Sequence, residues 1–204
     1  MRSYDRDADP VEFGRVVTLA DGVFAIALTL LVLDLAQAGT TLDAPLATAL
    51  PGLAPQFLAF AISVAVVGTF FRSHHEFVSG LQRIDGGLMS LTITYLSFIV
   101  LIPFVQGVLS RTGEPLALAM YAAVLGVAAI VEGFMLGHAY RRELLRTPQI
   151  GRAARFEILR TAAPIVVFLA SIGLVYVLGL WTMVLWFSLW PIDSLLDRLE
   201  RRGR

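Results

Sequence analysis

The chain has 204 residues, of which 57% are hydrophobic, and its mean hydropathy is +0.75. Its 16 basic and 16 acidic residues cancel, so the net charge points to no nucleic acid or other charged partner. Because the apolar residues form long runs rather than narrow stripes, the sequence predicts an integral membrane protein and excludes an ordinary soluble domain. The chain has no cysteine, which excludes disulfides and thiolate metal sites.

The apolar runs predict the number of membrane crossings. A hydrocarbon layer about 30 Å thick requires roughly 20 helical residues. We therefore predict an all-α membrane protein with one six-helix domain over residues 1–204, whose spans cover residues 16–35, 56–71 (with an alternative start near 46), 87–109, 116–138, 161–178 and 180–195. Gly179 is the obvious break between the last two spans. Because about 35 apolar residues exceed a single crossing, a tight helical hairpin is favoured over one kinked helix.

The distribution of arginine predicts the orientation. With six spans, the two termini and the links 72–86 and 139–160 share one side, which carries every arginine except Arg111. By the positive-inside rule, both termini are cytoplasmic. The charged N-terminal segment has no short apolar region followed by a small-residue cleavage site, so we expect no cleaved signal peptide.

The first span reads DGVFAIALTLLVLDL from residue 21 to residue 35 and carries an acid near each end. Asp21 is either an ordinary helix-entry acid, favoured by the helix dipole, or a functional acid. Asp34 is either a solvated acid or part of a cation-attracting ring at the pore mouth. Arg15 lies six residues before Asp21, about 120° around a helix, so each is expected to bond to a neighbouring helix.

An apolar stripe runs along the same span. Ile26, Leu30 and Leu33 follow the i, i+4, i+7 spacing of one helix face, and Thr29 borders them. Such a stripe is typical of helix packing. The composition alone does not separate a lipid-facing stripe from a hydrophobic pore constriction.

Other polar residues lie in or near the spans. His74 and His75 are adjacent and point about 100° apart on a helix, so they are poorly placed to chelate one ion. Glu132 lies in mid-span, either as a functional acid or as a structural hydrogen-bonding group. Gln106 and His138, near span ends, are weaker candidates. The sequence contains no HExxH motif, no glycine-rich phosphate loop and no TVGYG-type filter.

The segment RVVTLADGVFAIALTLLVL, from Arg15 onward, resembles the first helix of the transmembrane protein 175 family. The family pattern is an arginine, three variable residues and then Phe-Ser-Asp. Arg15 and Asp21 match this pattern, whereas Leu19 replaces the phenylalanine and Ala20 replaces the serine. The resemblance covers roughly residues 10–110 and includes His74, His75, Arg83, Asp85 and the third-span sequence LSFIVLIPF.

Members of that family are potassium-permeable channels. The resemblance implies a homotetramer in the lipid bilayer of the bacterial plasma membrane, with the first helices of four subunits lining a pore for monovalent cations. It places the narrowest hydrophobic ring at Ile26, with Leu30 and Leu33 beyond it, and the potassium preference at Thr29. It further assigns Arg15, Leu19, Ala20, Asp21, His74 and His75 to a structural network. We expect no enzymatic activity, no cofactor or metal, and no nucleic-acid partner.

Two other functions remain open from the residues alone. A proton-coupled secondary transporter would use Glu132, Asp21 and the histidines as a relay, although no span is visibly broken and no inverted repeat is seen. An intramembrane metal-dependent enzyme would be built on His74, His75, Glu76 and Asp85.

Overall fold

A computed structural model describes residues 3–40, 46–147 and 152–189 of the chain. Its helices are α1 (Pro10–Thr40), α2 (Leu46–Ser79), α3 (Gly86–Thr112), α4 (Pro115–Arg141), α5 (Arg152–Leu178) and the 3₁₀ helix α6 (Gly179–Ser188). Five helical stretches are long and apolar enough to cross a membrane, namely Pro10–Leu33, Gln56–Ser79, Gly86–Thr112, Pro115–Arg141 and Glu157–Ser188. The chain is therefore a multi-pass membrane protein. The predicted span 16–35 overlaps the first stretch, and the next four predicted spans lie within the other stretches. The predicted sixth span, 180–195, begins in the same stretch as the fifth and extends past residue 189, outside the described residues.

The centre of the bundle is the antiparallel pair α3 and α4. Gly113 ends α3 with a φ of 62°, and its N–H donates to the Leu109 carbonyl at 2.8 Å. This left-handed cap suits glycine, and Pro115 begins α4 at a position that tolerates proline. In the most apolar 18-residue part of α4, 61% of the residues are buried, whereas the corresponding part of the Glu157–Ser188 stretch has only 17% buried. The α4 helix is thus the most buried, with α3 on one side and α5 on the other, while α1 and α2 pack against α3.

The chain reverses direction at Gly179, which has a φ of 56°. Trp186 in α6 donates its indole N–H to the Ser171 hydroxyl of α5 at 3.1 Å. A continuous helix would separate residues 15 positions apart by about 22 Å. The short distance therefore confirms the predicted break at Gly179 and the folding of α6 back onto α5.

Three chain segments meet at one end of the bundle. Strand β1 (Tyr4–Asp5) pairs antiparallel with strand β2 (Arg83–Ile84), and Leu81 forms a bridge with Leu145. We call this group, residues 4–5, 81–84 and 144–146, the clasp. These two strands are a small departure from the predicted all-α fold. They were not predicted because two residues are too few to give a periodic signal. The clasp confirms that the N-terminal segment and the links after α2 and α4 share one end.

Arg6 fastens α1 to the clasp. Its guanidinium donates to the Val78 carbonyl at 2.7 Å and lies 4.5 Å from the centre of the Phe13 ring, within the range of a cation–π contact. Phe13 is buried near the start of α1. The N-terminal end of α1 is therefore held against the end of α2.

Candidate functional site on the first helix

One face of α1 attaches the helix to its own subunit. Ala20, Phe24, Ala27 and Leu31 recur at spacings of four, three and four residues, and none of them is more than 1% exposed. The Phe24 ring lies 5.4 Å from Phe71 of α2 and about 6 Å from Tyr95 of α3. This face was not predicted from the sequence, in which the stripe beside it was the more conspicuous pattern.

The stripe of Ile26, Leu30 and Leu33 lies outside this buried face. The exposed fractions of these residues are 57%, 38% and 52%, and Leu19 continues the stripe with 53%. At 100° per residue, the stripe is centred about 120° from the buried face. The residues predicted to share one helix face therefore do share it. This face is exposed on the surface of the subunit, where it can contact lipid or another copy of the chain.

Thr29 borders the stripe and is exposed. Its hydroxyl donates to the carbonyl oxygen of Ile26 at 2.8 Å. Because the proton of the hydroxyl is engaged with the backbone, the oxygen lone pairs remain available as acceptors. Such an oxygen can contact a cation without first breaking a hydrogen bond that it donates.

Arg15 and Asp21 of α1 are not paired with each other. Arg15 is exposed and bonds to Glu12 of the same helix at 3.1 Å, so it does not make the expected bond to a neighbouring helix within the subunit. Asp21 is exposed and forms no hydrogen bond or ion pair within the described part of the chain. Asp34 falls within α1, but its side chain lies outside the described part.

The two histidines diverge, as their adjacent positions predict. His74 is only 3% exposed and stacks on Tyr95 with ring centres 5.1 Å apart and an interplanar angle of 16°. It also lies 5.9 Å from Phe24, and neither of its ring nitrogens has a hydrogen-bond partner among the described residues. His74 therefore connects α1, α2 and α3 by packing rather than by hydrogen bonds. His75 is exposed beside Phe71.

Asp85 and His138 form a polar pair that joins α3 to α4. The carboxylate of Asp85 accepts the Leu88 N–H at 2.7 Å and contacts His138 Nε2 at 2.9 and 3.0 Å. Partial burial raises the pKa of Asp85, but the bonds from Leu88 and His138 lower it by more, so its pKa lies below the ordinary value of 3.8. Asp85 is thus an ionised helix cap. In the sequence, the signal for this cap is an aspartate directly before the two glycines that begin the helix.

The residues of the enzyme alternative are not brought together. His74 packs on Tyr95, whereas Asp85 bonds to His138. Within residues 3–40, 46–147 and 152–189, no three histidine, aspartate or glutamate side chains are grouped to hold a metal ion.

Comparison with known proteins identifies the family. Residues 15–103 match the family model described as endosomal/lysosomal potassium channel TMEM175. A potassium channel of Streptomyces collinus is 30% identical over 172 residues, which cover 81% of this chain and 84% of that protein. The chain belongs to the TMEM175 family. The TMEM175 family is a family of ion channels, not of enzymes.

Other TMEM175 relatives agree with this assignment. A potassium channel of Chamaesiphon minutus is 30% identical over 147 residues, 69% of this chain and 72% of that protein. The crystal structure of a lysosomal potassium-selective channel TMEM175 homolog from the same organism has a TM-score of 0.56 and 25% identity, and the match covers 95% of this chain and 98% of that one. The mouse endosomal/lysosomal proton channel TMEM175 is 32% identical over 98 residues, but these cover only 20% of its length.

Proposed function

We propose that four copies of this chain assemble around α1 as a potassium-permeable, modestly selective cation channel of the bacterial plasma membrane. The supporting observation is the exposed stripe of Ile26, Leu30 and Leu33 beside Thr29, on a helix whose other face is packed against its own subunit. Relatives that align over most of the chain are named potassium channels. The proposal requires no bound cofactor, and the permeant ions are its only small ligands.

Exposed polar residues of α1 support contact with other subunits and with hydrated ions rather than with lipid. Thr29 borders the stripe, whereas Asp21 lies about 150° from its centre. Asp21 and Thr29 are both exposed on the same helix, and Asp21 has no partner within the described part of its subunit. A carboxylate facing lipid is costly unless it is paired or hydrated. Arg15 and Asp21 lie about 120° apart, so they cannot both face one axis. We assign Arg15 and Asp21 a structural role between subunits. We assign Asp34, toward the other end of the first span, to the pore mouth at that end.

The Ile26 side chains form the barrier of this pore. Four β-branched side chains meeting at an axis leave no polar group to replace the hydration of an ion, and a narrow apolar ring excludes water. Opening must therefore widen and hydrate the ring. The Leu30 and Leu33 side chains lengthen the apolar passage along the same stripe.

Thr29 supplies the preference for potassium. An ion that has crossed the ring has lost part of its water, and potassium gives up its water more easily than sodium. The Thr29 oxygen, with its proton bonded to the Ile26 carbonyl, offers a partial replacement. Selectivity of this kind is modest, because few fixed oxygens surround the ion.

The clasp lies on the cytoplasmic side in this proposal. The segments that meet there carry Arg6, Arg83 and Arg146, whereas the other end of α3 carries Arg111 in its last turn. The arginine-rich C-terminal residues are assigned to the same side.

Planar-bilayer recording from the purified protein tests the conductance. With potassium on one side and sodium on the other, a channel gives a current that follows the electrochemical gradient, with a reversal potential displaced toward that of potassium. A proton-coupled carrier would instead give a saturating flux that depends on the proton gradient. Such coupling, or the absence of any cation current, would rule out the proposal.

Two variants test the assigned residues. Ile26→Asn should hydrate the ring, raise leak and reduce discrimination among monovalent cations. The matched control is Val32→Asn, because Val32 is 45% exposed on α1 but lies about 120° from the stripe. Thr29→Val keeps the shape, removes the oxygen and should lower the potassium-to-sodium permeability ratio. An unchanged ratio in a conducting Thr29→Val channel would place selectivity elsewhere.

Disulfide crosslinking tests the assembly, since the chain contains no cysteine. Single cysteines at positions 26, 30 and 33 should crosslink between subunits, whereas Ala27→Cys, on the buried face, should not. Native mass spectrometry should give a mass of four chains. Crosslinking from α4 with none from α1 would contradict the central position of α1.

A further inference from the structure

A cavity lies inside the subunit, between α2, α4, α5 and α6. Its walls are largely apolar and include Ile62, Val66, Phe70, Ala163 and Phe168. Its volume is about 70 Å³. Since a water molecule needs roughly 10–15 Å³ of such space, the cavity has room for about five.

A half-buried acid lies in the cavity wall. Glu132, in the middle of the α4 span, has one carboxyl oxygen, Oε1, with no accessible surface and no hydrogen-bond partner among the described residues. The Ser73 hydroxyl of α2 bonds to the carboxyl group. An ionised carboxylate with a single hydroxyl partner and apolar neighbours is costly, whereas the protonated acid is tolerated there.

Charged and titratable groups face Glu132 from the surrounding helices. Arg72 and Glu76 of α2 lie 3.9 Å apart, with side chains 56% and 57% exposed, so they mark a mouth of the cavity toward the clasp end. Arg160 of α5 lines the same cavity, and Tyr95 of α3 lies near enough to interact electrostatically with Glu132. Within the described ranges, Glu132 itself forms no ion pair.

We propose that Glu132 is a proton-binding site inside each subunit, loaded and unloaded through this hydrated cavity and separate from the α1 stripe. In loading, a carboxylate oxygen takes the proton of a hydronium ion, and a water molecule is left. In unloading, the proton returns to cavity water and the negative charge stays on the carboxylate. The site does not depend on α1 lining a pore.

Infrared difference spectroscopy of the full chain in lipid vesicles tests the site without measuring any current. At neutral pH the wild type should show the carbonyl band of a protonated carboxylic acid, and the band should disappear as the pH is raised. Glu132→Gln should lack this band. The matched control is Glu76→Gln, which removes an exposed acid at the cavity mouth and should retain it.

A second variant covers the case in which Glu132→Gln does not fold. Ser73→Ala removes the hydroxyl that bonds to the carboxyl and should move the band to higher frequency. If the band persists in Glu132→Gln, or if its frequency does not change in Ser73→Ala, the band belongs to another acid. The absence of a protonated-acid band in the wild type would mean that Arg160 keeps Glu132 ionised. Any of these results would overturn the proposal.

The water path has its own test. In this cysteine-free chain, Ala163→Cys places one thiol in the cavity wall and leaves Glu132 and Ser73 intact. A small water-soluble thiol reagent should modify it, whereas Ala128→Cys, fully buried on α4, should not react. If position 163 is as inert as position 128, the cavity is closed to water and cannot load the site.

Discussion

Replacing Gly87 by alanine should destabilise the protein through the polar pair of Asp85 and His138. A Cβ at position 87 would lie 2.7 Å from His138 Cε1 and 2.9 Å from its Nε2, closer than real Cβ atoms come. The ring must therefore move off the Asp85 carboxylate, which it contacts at 2.9 Å. Glycine is present here because the imidazole occupies the space of a side chain.

Two effects of opposite sign decide the result. In a helix, alanine is favoured over glycine by roughly 0.5–1 kcal/mol. A hydrogen bond to a charged group contributes about 1.5–3 kcal/mol, and the side chains of His138 and Asp85 are only 23% and 26% exposed. Gly87→Ala should therefore lower the free energy of unfolding by about 0.5–2.5 kcal/mol.

The assay is a denaturant titration of the purified protein in detergent micelles, followed by circular dichroism. In a His138→Ala background the clash and the bond are both absent, so the same glycine substitution should become stabilising by about 0.5–1 kcal/mol. A substitution that destabilises equally in both backgrounds would refute the role given to the imidazole.

Three further outcomes are expected. Asp85→Asn retains a capping oxygen but loses the charge; because the pKa of Asp85 is below 3.8 in the folded state, the difference in stability from wild type should persist at neutral pH and vanish as the pH falls through that folded pKa. Trp186→Phe should cost about 0.6–1.7 kcal/mol by losing the bond to Ser171, while Trp181→Phe, at a side chain 77% exposed, should cost nothing measurable in the same titration. Asp21→Asn should weaken the tetramer in native mass spectrometry, and normal assembly with a loss of cation preference would show that Asp21 faces the ions.

The sequence predicted the features that depend on local pattern. Runs of apolar residues located the helices, the arginines grouped the segments of the clasp, and Gly179 marked the reversal of the chain. The stripe on α1 was visible because helical spacing places its members on one face whatever the rest of the fold. The family resemblance added a role for that stripe that spacing alone did not provide.

The features that were missed depend on contacts between distant residues. His138 lies 53 residues from Asp85, and the His74 ring stacks on Tyr95 of a different helix. The two-residue strands of the clasp are too short to show an alternating pattern. The cavity beside Glu132 exists because four elements leave space between them, which no single stretch of sequence records.

Besides its buried face, α1 has a further attachment near its N-terminal end, where Arg6 holds it to the end of α2. The Arg6 guanidinium lies 4.5 Å from the centre of the Phe13 ring, near the N-terminal end of α1. Ile26 lies 13 residues further along, about 20 Å away at 1.5 Å per residue. A tilt of α1 by about 5° around Phe13 would displace Ile26 sideways by nearly 2 Å. The same tilt in two opposite subunits would move their Ile26 side chains apart by about the width of a water molecule. In the proposed tetramer, a tilt of this size, which α2 and α3 must share because they pack on the buried face of α1, would admit water to the ring.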